Sequence, residues 1–277
     1  MKKFLHYLRA INAENVKEWK IEMSYRFDFI RGFIEPVVYI LPYVFYGIAI
    51  VGGRFSQTLH DLTGSGDIIT YTVIGWVVMG FLNTACWAMG FALRKEQWFG
   101  TLETVFAAPV PRWVYIGGMA FHSTLHQGAM ILIQIMAVHL IFRLFFKTSG
   151  LLPALFFIGL MVIALYGLGI FVASLALIFK QGWMIAEILH SLVSIATPIA
   201  YPLAVLPTFL QKVAKIFPTT YGITLARHFL LGERTIWGVA EGTFRLILLG
   251  FCWILFGLIV FNMIDRKVRR EGTLAYY

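Results

Sequence analysis

The sequence is poor in charged residues and in cysteine. Charged residues make up 13% of its 277 positions, about half of the roughly 25% that soluble domains carry. Cys86 and Cys252 stand far apart in separate apolar segments, which excludes a disulfide framework and a zinc-type cysteine spacing. Hydrophobic residues fill 59% of the chain, so we expect that water is not the main solvent of this fold.

The sequence also lacks a Gly-x-x-x-x-Gly-Lys-Ser/Thr phosphate loop, so the chain has no usual means of holding a nucleotide. We therefore expect that it is not an enzyme and holds no cofactor of its own. The net charge of +9 comes from basic residues in short segments between apolar blocks, not from one basic face. That distribution argues against nucleic acid as a partner.

Long apolar blocks are the main feature that is present. About 20 helical residues are needed to cross roughly 30 Å of hydrocarbon, and six blocks meet that length. They lie near 32–53, 68–93, 119–146, 152–179, 184–206 and 243–264. These blocks predict an all-α integral membrane protein with six transmembrane helices in one membrane domain, residues 32–277.

The lysines and arginines are unequally divided between the two sides of this arrangement. Fifteen of the 23 fall on the side that carries both chain ends, and eight fall on the other. Because basic residues concentrate in cytoplasmic loops, we expect a multi-pass protein of the cytoplasmic (inner) membrane with both termini in the cytoplasm.

Residues 1–31 have the pattern of an amphipathic helix, with apolar residues mostly three or four positions apart. The apolar positions are Phe4, Leu8, Ile11, Trp19, Met23, Phe27 and Ile30. Lysines and glutamates between them favour an interfacial helix that lies on the membrane lipids of the inner leaflet. A helix packed on a partner protein is the alternative.

The connection between the predicted fifth and sixth spans is long and rich in proline. Pro198, Pro202, Pro207 and Pro218 each remove a backbone donor, which interrupts a helix. The segment 207–242 therefore favours short re-entrant helices on the outer side of the membrane.

The linker between the second and third spans predicts a short helix on the cytoplasmic face. Gly100 ends the preceding helix, Thr101 is a candidate cap, and Pro109 stops the new helix. An apolar stripe and flanking charges suit a docking surface. The stripe is Leu102, Val105 and Phe106, and the charges are Glu96, Glu103 and Arg112. A solvated loop between Trp98 and Trp113 is the alternative.

These residues resemble the membrane subunit of type 2 ATP-binding-cassette (ABC) exporters, which carry an acidic residue, then Gly-Thr-Leu-Glu, then proline and a basic residue. The matching positions are Glu96, Gly100, Thr101, Leu102, Glu103, Pro109 and Arg112. A second resemblance, to the family's fifth span and re-entrant helices, runs through 198–207, 217–221 and Arg227.

The resemblance implies that residues 100–108 form a coupling helix that docks into a separate nucleotide-binding ATPase subunit. It implies that ATP and Mg²⁺ belong to that partner and that the chain pairs with a second copy of itself or with a sister membrane subunit. The expected function is export of an amphipathic, lipid-like or drug-like substrate.

Glu35 and Glu187 keep an alternative open, since a carboxylate near hydrocarbon is a functional hypothesis by default. An ATP-independent secondary carrier would use one of them for protons or sodium and would show inverted repeats, which the sequence does not display. Both acids stand near the cytoplasmic ends of their spans, and we favour the interpretation that each reaches the membrane interface or pairs with a lysine or arginine. His190 follows Glu187 by three residues and shares its helix face.

A metal site is not expected from the histidines of the third span. His122 and His126 share a face, but no carboxylate is expected to accompany them and complete a ligand set. An intramembrane enzyme, the third class considered, would need convergent acids or histidines at one depth, and the acids here are few and scattered.

Overall fold

The computed structural model describes residues 2–179 and 182–271, and these are helical with no β-strand. The last residues of the predicted membrane domain, 272–277, lie outside them. In chain order the α-helices are α1 (Lys2–Ser24), α2 (Arg26–Val51), α3 (Gln57–Thr63), α4 (Ile68–Asn83), α5 (Ala92–Trp98), α6 (Leu102–Ala107), α7 (Arg112–Phe142), α8 (Leu151–Ile178), α9 (Gly182–Ala196), α10 (Thr208–Ala214), α11 (Pro218–Leu231) and α12 (Val239–Glu271). A π-helix, Thr84–Met89, continues α4.

Five helical segments of the described chain are long and apolar enough to cross a membrane. They are Arg26–Val51, Ile68–Met89, Arg112–Phe142, Thr148–Ile178 and Val239–Val268. This arrangement confirms the predicted all-α membrane fold. The third and sixth spans begin earlier than expected, at Arg112 and Val239, because α7 also includes residues 112–118 and α12 also includes residues 239–242.

The predicted fifth span, at 184–206, is not one continuous helix. α9 has 15 residues and is therefore about 22 Å long, which is short of roughly 30 Å of hydrocarbon. The helix ends at Ala196 because Pro198 and Pro202 cannot continue it. The chain then proceeds through turns and a 3₁₀ turn, Leu203–Val205, to Leu206.

Arg227, on α11, satisfies the backbone carbonyls that this break leaves open. It is only 2% exposed. Its Nη1 donates to the carbonyl of Pro198 at 2.5 Å, and its Nη2 donates to those of Ile199 at 2.6 Å and Tyr71 at 2.8 Å. The guanidinium also lies 3.4 Å from the centroid of the Tyr71 ring. One side chain thus joins α4, α11 and the end of α9.

The short helices expected between the last two spans are present as α10 and α11. Pro218 opens α11, and Gly232 ends it in the left-handed conformation. α11 packs against α4, α8 and α12, and Thr197 and Thr219 share a buried hydroxyl hydrogen bond of 2.6 Å. α11 is therefore part of the packed core, whereas Ala214 is the buried residue of α10.

The predicted N-terminal helix of residues 1–31 is two helices. Tyr25 separates α1 from α2, which then runs without a break through Pro36 and Pro42. The first span therefore begins at Arg26 instead of residue 32. α1 packs mainly on α7, while Leu5, Leu8 and Met23 remain exposed. The helix thus contacts its own chain on one face and offers an apolar face to its surroundings.

Both ends of the described chain lie on the same face of the bundle. Arg112, at the start of α7, pairs with Asp265 near the end of α12. The ring of Tyr7 contacts that of Trp113 edge to face, with centroids 5.6 Å apart. We call this side, which also carries α5 and α6, the N/C face.

The opposite face is closed by α3 and its flanking turns. Arg54 binds Asp67 at 2.6 Å and donates to the carbonyl of Phe142 at 2.6 Å. Asp67 in turn accepts hydrogen bonds from the first turn of α4 and so caps that helix. One arginine therefore holds the ends of three spans together.

The close approach of α4 to the broken end of α9 requires glycine at position 75. A Cβ at Gly75 would overlap the carbonyl oxygen of Ile199, one of the groups that Arg227 binds. We expect Gly75→Ala to destabilise the protein by about 1–3 kcal/mol, the usual cost of overpacking, and to lower the thermal unfolding midpoint in detergent. Gly159→Ala is the control, since nothing lies within 4 Å of a Cβ there. Equal midpoints for the two variants would contradict this account of the packing.

Candidate coupling site

The linker between the second and third spans forms two short helices joined by a tight turn. Gly100 has a φ of +70°, the left-handed conformation that favours glycine. The amide of Thr101 then donates to the carbonyl of Glu96 at 2.9 Å. Thr101 occupies the position before α6 but makes no side-chain cap, because its hydroxyl donates to the Glu96 carboxylate instead.

The predicted stripe of α6 faces inward. Leu102 is 8% exposed and belongs to a buried cluster with Met89, Leu93 and Tyr115, and Val105 packs against the same cluster. The side chain of Phe106 lies outside the described part of the structure. The outward surface of α6 is formed by Glu103, Thr104, Ala107 and Ala108, followed by Pro109.

Two aromatic side chains beside α6 are exposed, whereas Leu102 of the predicted apolar stripe is buried. Trp98 and Phe99 are 70% and 72% exposed. They end α5 and precede Gly100 on the N/C face. Sequence analysis named Trp98 only as one end of a possible solvated loop and did not name Phe99. Two consecutive aromatic residues before a glycine were the feature of the sequence that could have indicated this exposed pair.

Glu96 is held inside the protein. It is 6% exposed, and its carboxylate accepts hydrogen bonds from Lys17 Nζ at 2.8 Å, from the Tyr115 hydroxyl at 2.8 Å and from Thr101. Burial alone would raise the pKa of Glu96, but these donors outweigh burial and lower it. Glu96, predicted as one of the flanking charges of the docking surface, is thus buried and joins α1, α5, α6 and α7.

A second ion pair stands beside the first. Lys95 binds Glu18 at 2.5 Å, and Glu18 is buried on α1. Lys17 also binds Glu14 at 2.7 Å. Burial raises the pKa of Glu14, although Lys17 opposes the change. For Lys17, burial would lower the pKa, and the hydrogen bonds to Glu14 and Glu96 raise it overall.

Three carboxylates of this group offer oxygens within 4.8 Å of one another, namely those of Glu14, Glu18 and Glu96. Lys17 and Lys95 supply positive charge to them. The arrangement therefore acts as an internal network of ion pairs between α1 and α5. We call these five residues the ion network.

Arg112 is also committed within the chain. Its guanidinium pairs with Asp265, and both side chains are largely buried. The contact joins the first turn of α7 to the end of α12. Among the predicted charges, Glu103 is the one on α6 itself that is exposed.

The histidines of α7 have a carboxylate partner that sequence proximity could not show. Glu22 Oε1, on α1, lies 3.0 Å from His122 Nε2 and 3.7 Å from His126 Nδ1. Burial would raise the pKa of Glu22, but the His122 hydrogen bond and the neighbouring positive groups lower it. Trp19 packs edge-on to both imidazoles. The statement that no carboxylate accompanies these histidines is therefore wrong.

Glu35, Glu187 and His190 do not form a common site. Glu35 lies 3.8 Å from Arg31, one turn earlier on α2. Glu187 accepts a hydrogen bond from Ser191 at 3.3 Å, while Nε2 of His190 has no hydrogen-bond partner among the described residues. Each acid is thus in contact with a neighbour on its own helix.

The comparisons with known proteins agree with this architecture. The profile of the family described as ABC-2 type transporter matches residues 23–231. The chain belongs to that family. It is therefore a membrane-spanning permease subunit of an ABC transporter, as the resemblance in the linker predicted. The match to the family begins at the end of α1 and includes α11. A comparison with curated proteins found no match.

The ion network predicts a measurable dependence of stability on Lys95. We expect Lys95→Met to lower the free energy of unfolding by about 1–3 kcal/mol, because it leaves the buried Glu18 without this partner. We expect a smaller loss of stability than for a fully buried ion pair, because the Lys95 side chain is 32% exposed. Apparent unfolding midpoints in detergent would measure it.

A double-mutant cycle separates the ion pair from other effects of the substitution. Glu18→Gln combined with Lys95→Met should cost less than the sum of the two single changes, because each single change leaves one charge without its partner and the double variant removes both charges. Lys20→Met, at an exposed lysine of α1, is the control. Strict additivity would show that Lys95 and Glu18 do not stabilise each other.

Proposed function

We propose that this permease subunit couples ATP hydrolysis by a separate nucleotide-binding subunit to export of an amphipathic, lipid-like or drug-like substrate. The observation that carries the proposal is the position of α6: an exposed short helix whose first residues are fixed from beneath by the buried Glu96. A helix held in this way moves together with the elements that hold it.

The docking surface consists of the outward side of α6 and the aromatics before it. Glu103 offers a charge, and Trp98 and Phe99 offer exposed apolar area. Aromatic side chains are enriched at the centres of protein interfaces, where they contribute most of the binding energy. Leu102 and Val105 support α6 from within, while Gly100 and Pro109 define its ends.

Motion passes from α6 to the spans through the ion network. When the ATPase subunits close on ATP, they displace α6, and Glu96 and Lys95 transmit the displacement to α1 and α7. Arg112 extends the same connection to α12. ATP binding on the partner thereby shifts the population between inward-facing and outward-facing states.

The orientation and the assembly follow from the same proposal. The N/C face lies in the cytoplasm, where it meets ATP and Mg²⁺ bound to the partner, and the membrane is the cytoplasmic (inner) membrane. The working unit contains two membrane chains, either two copies of this chain or one copy with a sister subunit. α2 is the least buried of the long helices, and it leaves a broad apolar face for lipids or the second chain.

The geometry of the acids favours this proposal over the secondary carrier. A coupling site for protons or sodium needs polar groups that converge between the spans. Glu35 and Glu187 instead each contact a residue one turn away on the same helix. Among the described residues, neither of the two acids considered for the carrier therefore has a polar partner on another span.

Charge reversal on α6 tests the proposal. We expect Glu103→Lys to reduce recovery of the ATPase at least tenfold when the tagged chain is purified in mild detergent after co-expression with the nucleotide-binding subunit encoded beside it. A change of 1.4 kcal/mol at the interface suffices for that factor. Bound ATPase and its turnover are both measured.

Asp61→Lys is the matched control, because it makes the same charge change at an exposed residue of α3 on the opposite face. Recovery of the ATPase with this variant should equal that of the natural sequence. Unchanged recovery with Glu103→Lys would contradict docking through α6. A folded chain that never retains a nucleotide-binding subunit would favour the secondary carrier.

A further inference from the structure

A cleft of about 570 Å³ lies between α1, the π-helix and α7. We propose that it binds an organic cation with an aromatic or apolar body. Its use as the place where cargo enters from the cytoplasmic side rests on the proposed function, whereas binding itself does not. The volume lies within the 300–1,000 Å³ typical of small-molecule sites.

The π-helix shapes one wall of the cleft. Its wider turn places Thr84, Trp87 and Ala88 along the cavity. Single π-helical turns are rare and occur often at functional sites. Trp87 and Phe91 stack with ring centroids 5.5 Å apart and planes 17° apart, and Trp98 follows 6.2 Å from Phe91. The wall is therefore a row of aromatic rings.

The charged side chains of the cleft leave one acid in excess. Glu18, Glu22 and Lys95 line it together with His122 and His126. Lys95 is paired with Glu18 at 2.5 Å, so it offsets that acid. The close contacts of Glu22 in the cleft are with the two imidazoles, and Lys95 acts on it only from a longer distance. With both histidines neutral, the two acids and one lysine give the cleft one negative charge in excess.

Two polar groups in this cavity remain without partners in the described chain. Oε2 of Glu22 and Nδ1 of His122 make no hydrogen bond, and His122 is 2% exposed. An unsatisfied buried polar group costs about 1–3 kcal/mol. Rotation of the Glu22 carboxylate toward a positive or hydrogen-bonding head in the cleft would recover part of that cost.

The same features decide the chemical class of the ligand. Aromatic faces attract cations and also bury apolar surface, so the row of rings and Glu22 together fit a cation with an apolar body. An anionic ligand would meet the charge of Glu22, and Lys95 is already engaged. A divalent metal fits less well, because Glu22, His122 and His126 are not among the groups of three ligand atoms within 4.8 Å in the described residues.

Direct binding of a matched ion pair tests the inference. Tetraphenylphosphonium is a cation with four phenyl groups, and tetraphenylborate has nearly the same shape with the opposite charge. Both are titrated into the purified full-length chain in detergent, with equilibrium dialysis as the readout. We expect the cation to bind at least tenfold more tightly than the anion, and Glu22→Gln to remove at least tenfold of the cation's affinity.

Two further variants keep the test decisive. Asp28→Asn removes an exposed acid from α2 and should leave the cation's affinity unchanged. Trp87→Leu keeps apolar volume but removes the ring, and it should weaken cation binding even if Glu22→Gln proves unstable. Equal affinity for the two ions, or unchanged cation binding in both Glu22→Gln and Trp87→Leu, would overturn the inference.

The outcome is independent of the ATPase. Binding is measured on this chain alone, so failure to bind the cation beside successful capture of the ATPase would overturn the cleft and leave the exporter proposal intact. Cation binding in a chain that captures no ATPase would support the cleft and overturn the coupling mechanism.

Discussion

In apolar surroundings a backbone carbonyl that accepts no hydrogen bond raises the free energy of the folded state. The fold depends on Arg227, which donates hydrogen bonds to the carbonyls that would otherwise lack a donor. Prolines end α9 after 15 residues, and the guanidinium then binds the carbonyls of Pro198 and Ile199 as well as that of Tyr71 on α4. Broken helices are tolerated in membranes only where protein supplies such partners. The interruption thus fixes α11 within the core and requires Gly75 to lie against Ile199.

At the N/C face, ion pairs join α1 to the other helices, as the hydrogen bonds of Arg227 join α4, α11 and the end of α9. α1 lies outside the main bundle, and its buried contacts with α5 and α7 are largely ionic, through Lys17 with Glu96, Glu18 with Lys95 and Glu22 with His122. Such pairs contribute little where they are exposed, but here each contains a largely buried member. They therefore specify how α1 sits on the bundle, while the apolar side chains of its outer face remain exposed.

The sequence predicted the features that depend on local pattern. Apolar length predicted the long spans, and Gly100 and Pro109 predicted α6 between them. What it missed depends on residues far apart in the chain. Glu96 has the same local context whether it faces solvent or Lys17, which is 79 positions away. Glu22 contacts His122, which is 100 positions away. The side-chain pattern of α7 alone cannot show which residue of another helix packs against it. The burial of Leu102 could not be predicted for the same reason. The apolar side of a short amphipathic helix can pack against a partner protein or against the core of its own chain.

Lys95 and Glu96 are neighbours on α5, yet they serve the two proposed sites separately. Glu96 holds the start of α6, whereas Lys95 neutralises Glu18 at the edge of the cleft. Under the proposed coupling, a displacement of α6 moves α5 with it, and the pair of Lys95 with Glu18 passes the motion to α1, which forms one wall of the cleft. Glu18 stays paired during this motion, because Lys17 also lies 3.4 Å from it. Since coupling between two binding sites is reciprocal, a cation in the cleft would in turn bias the position of α6.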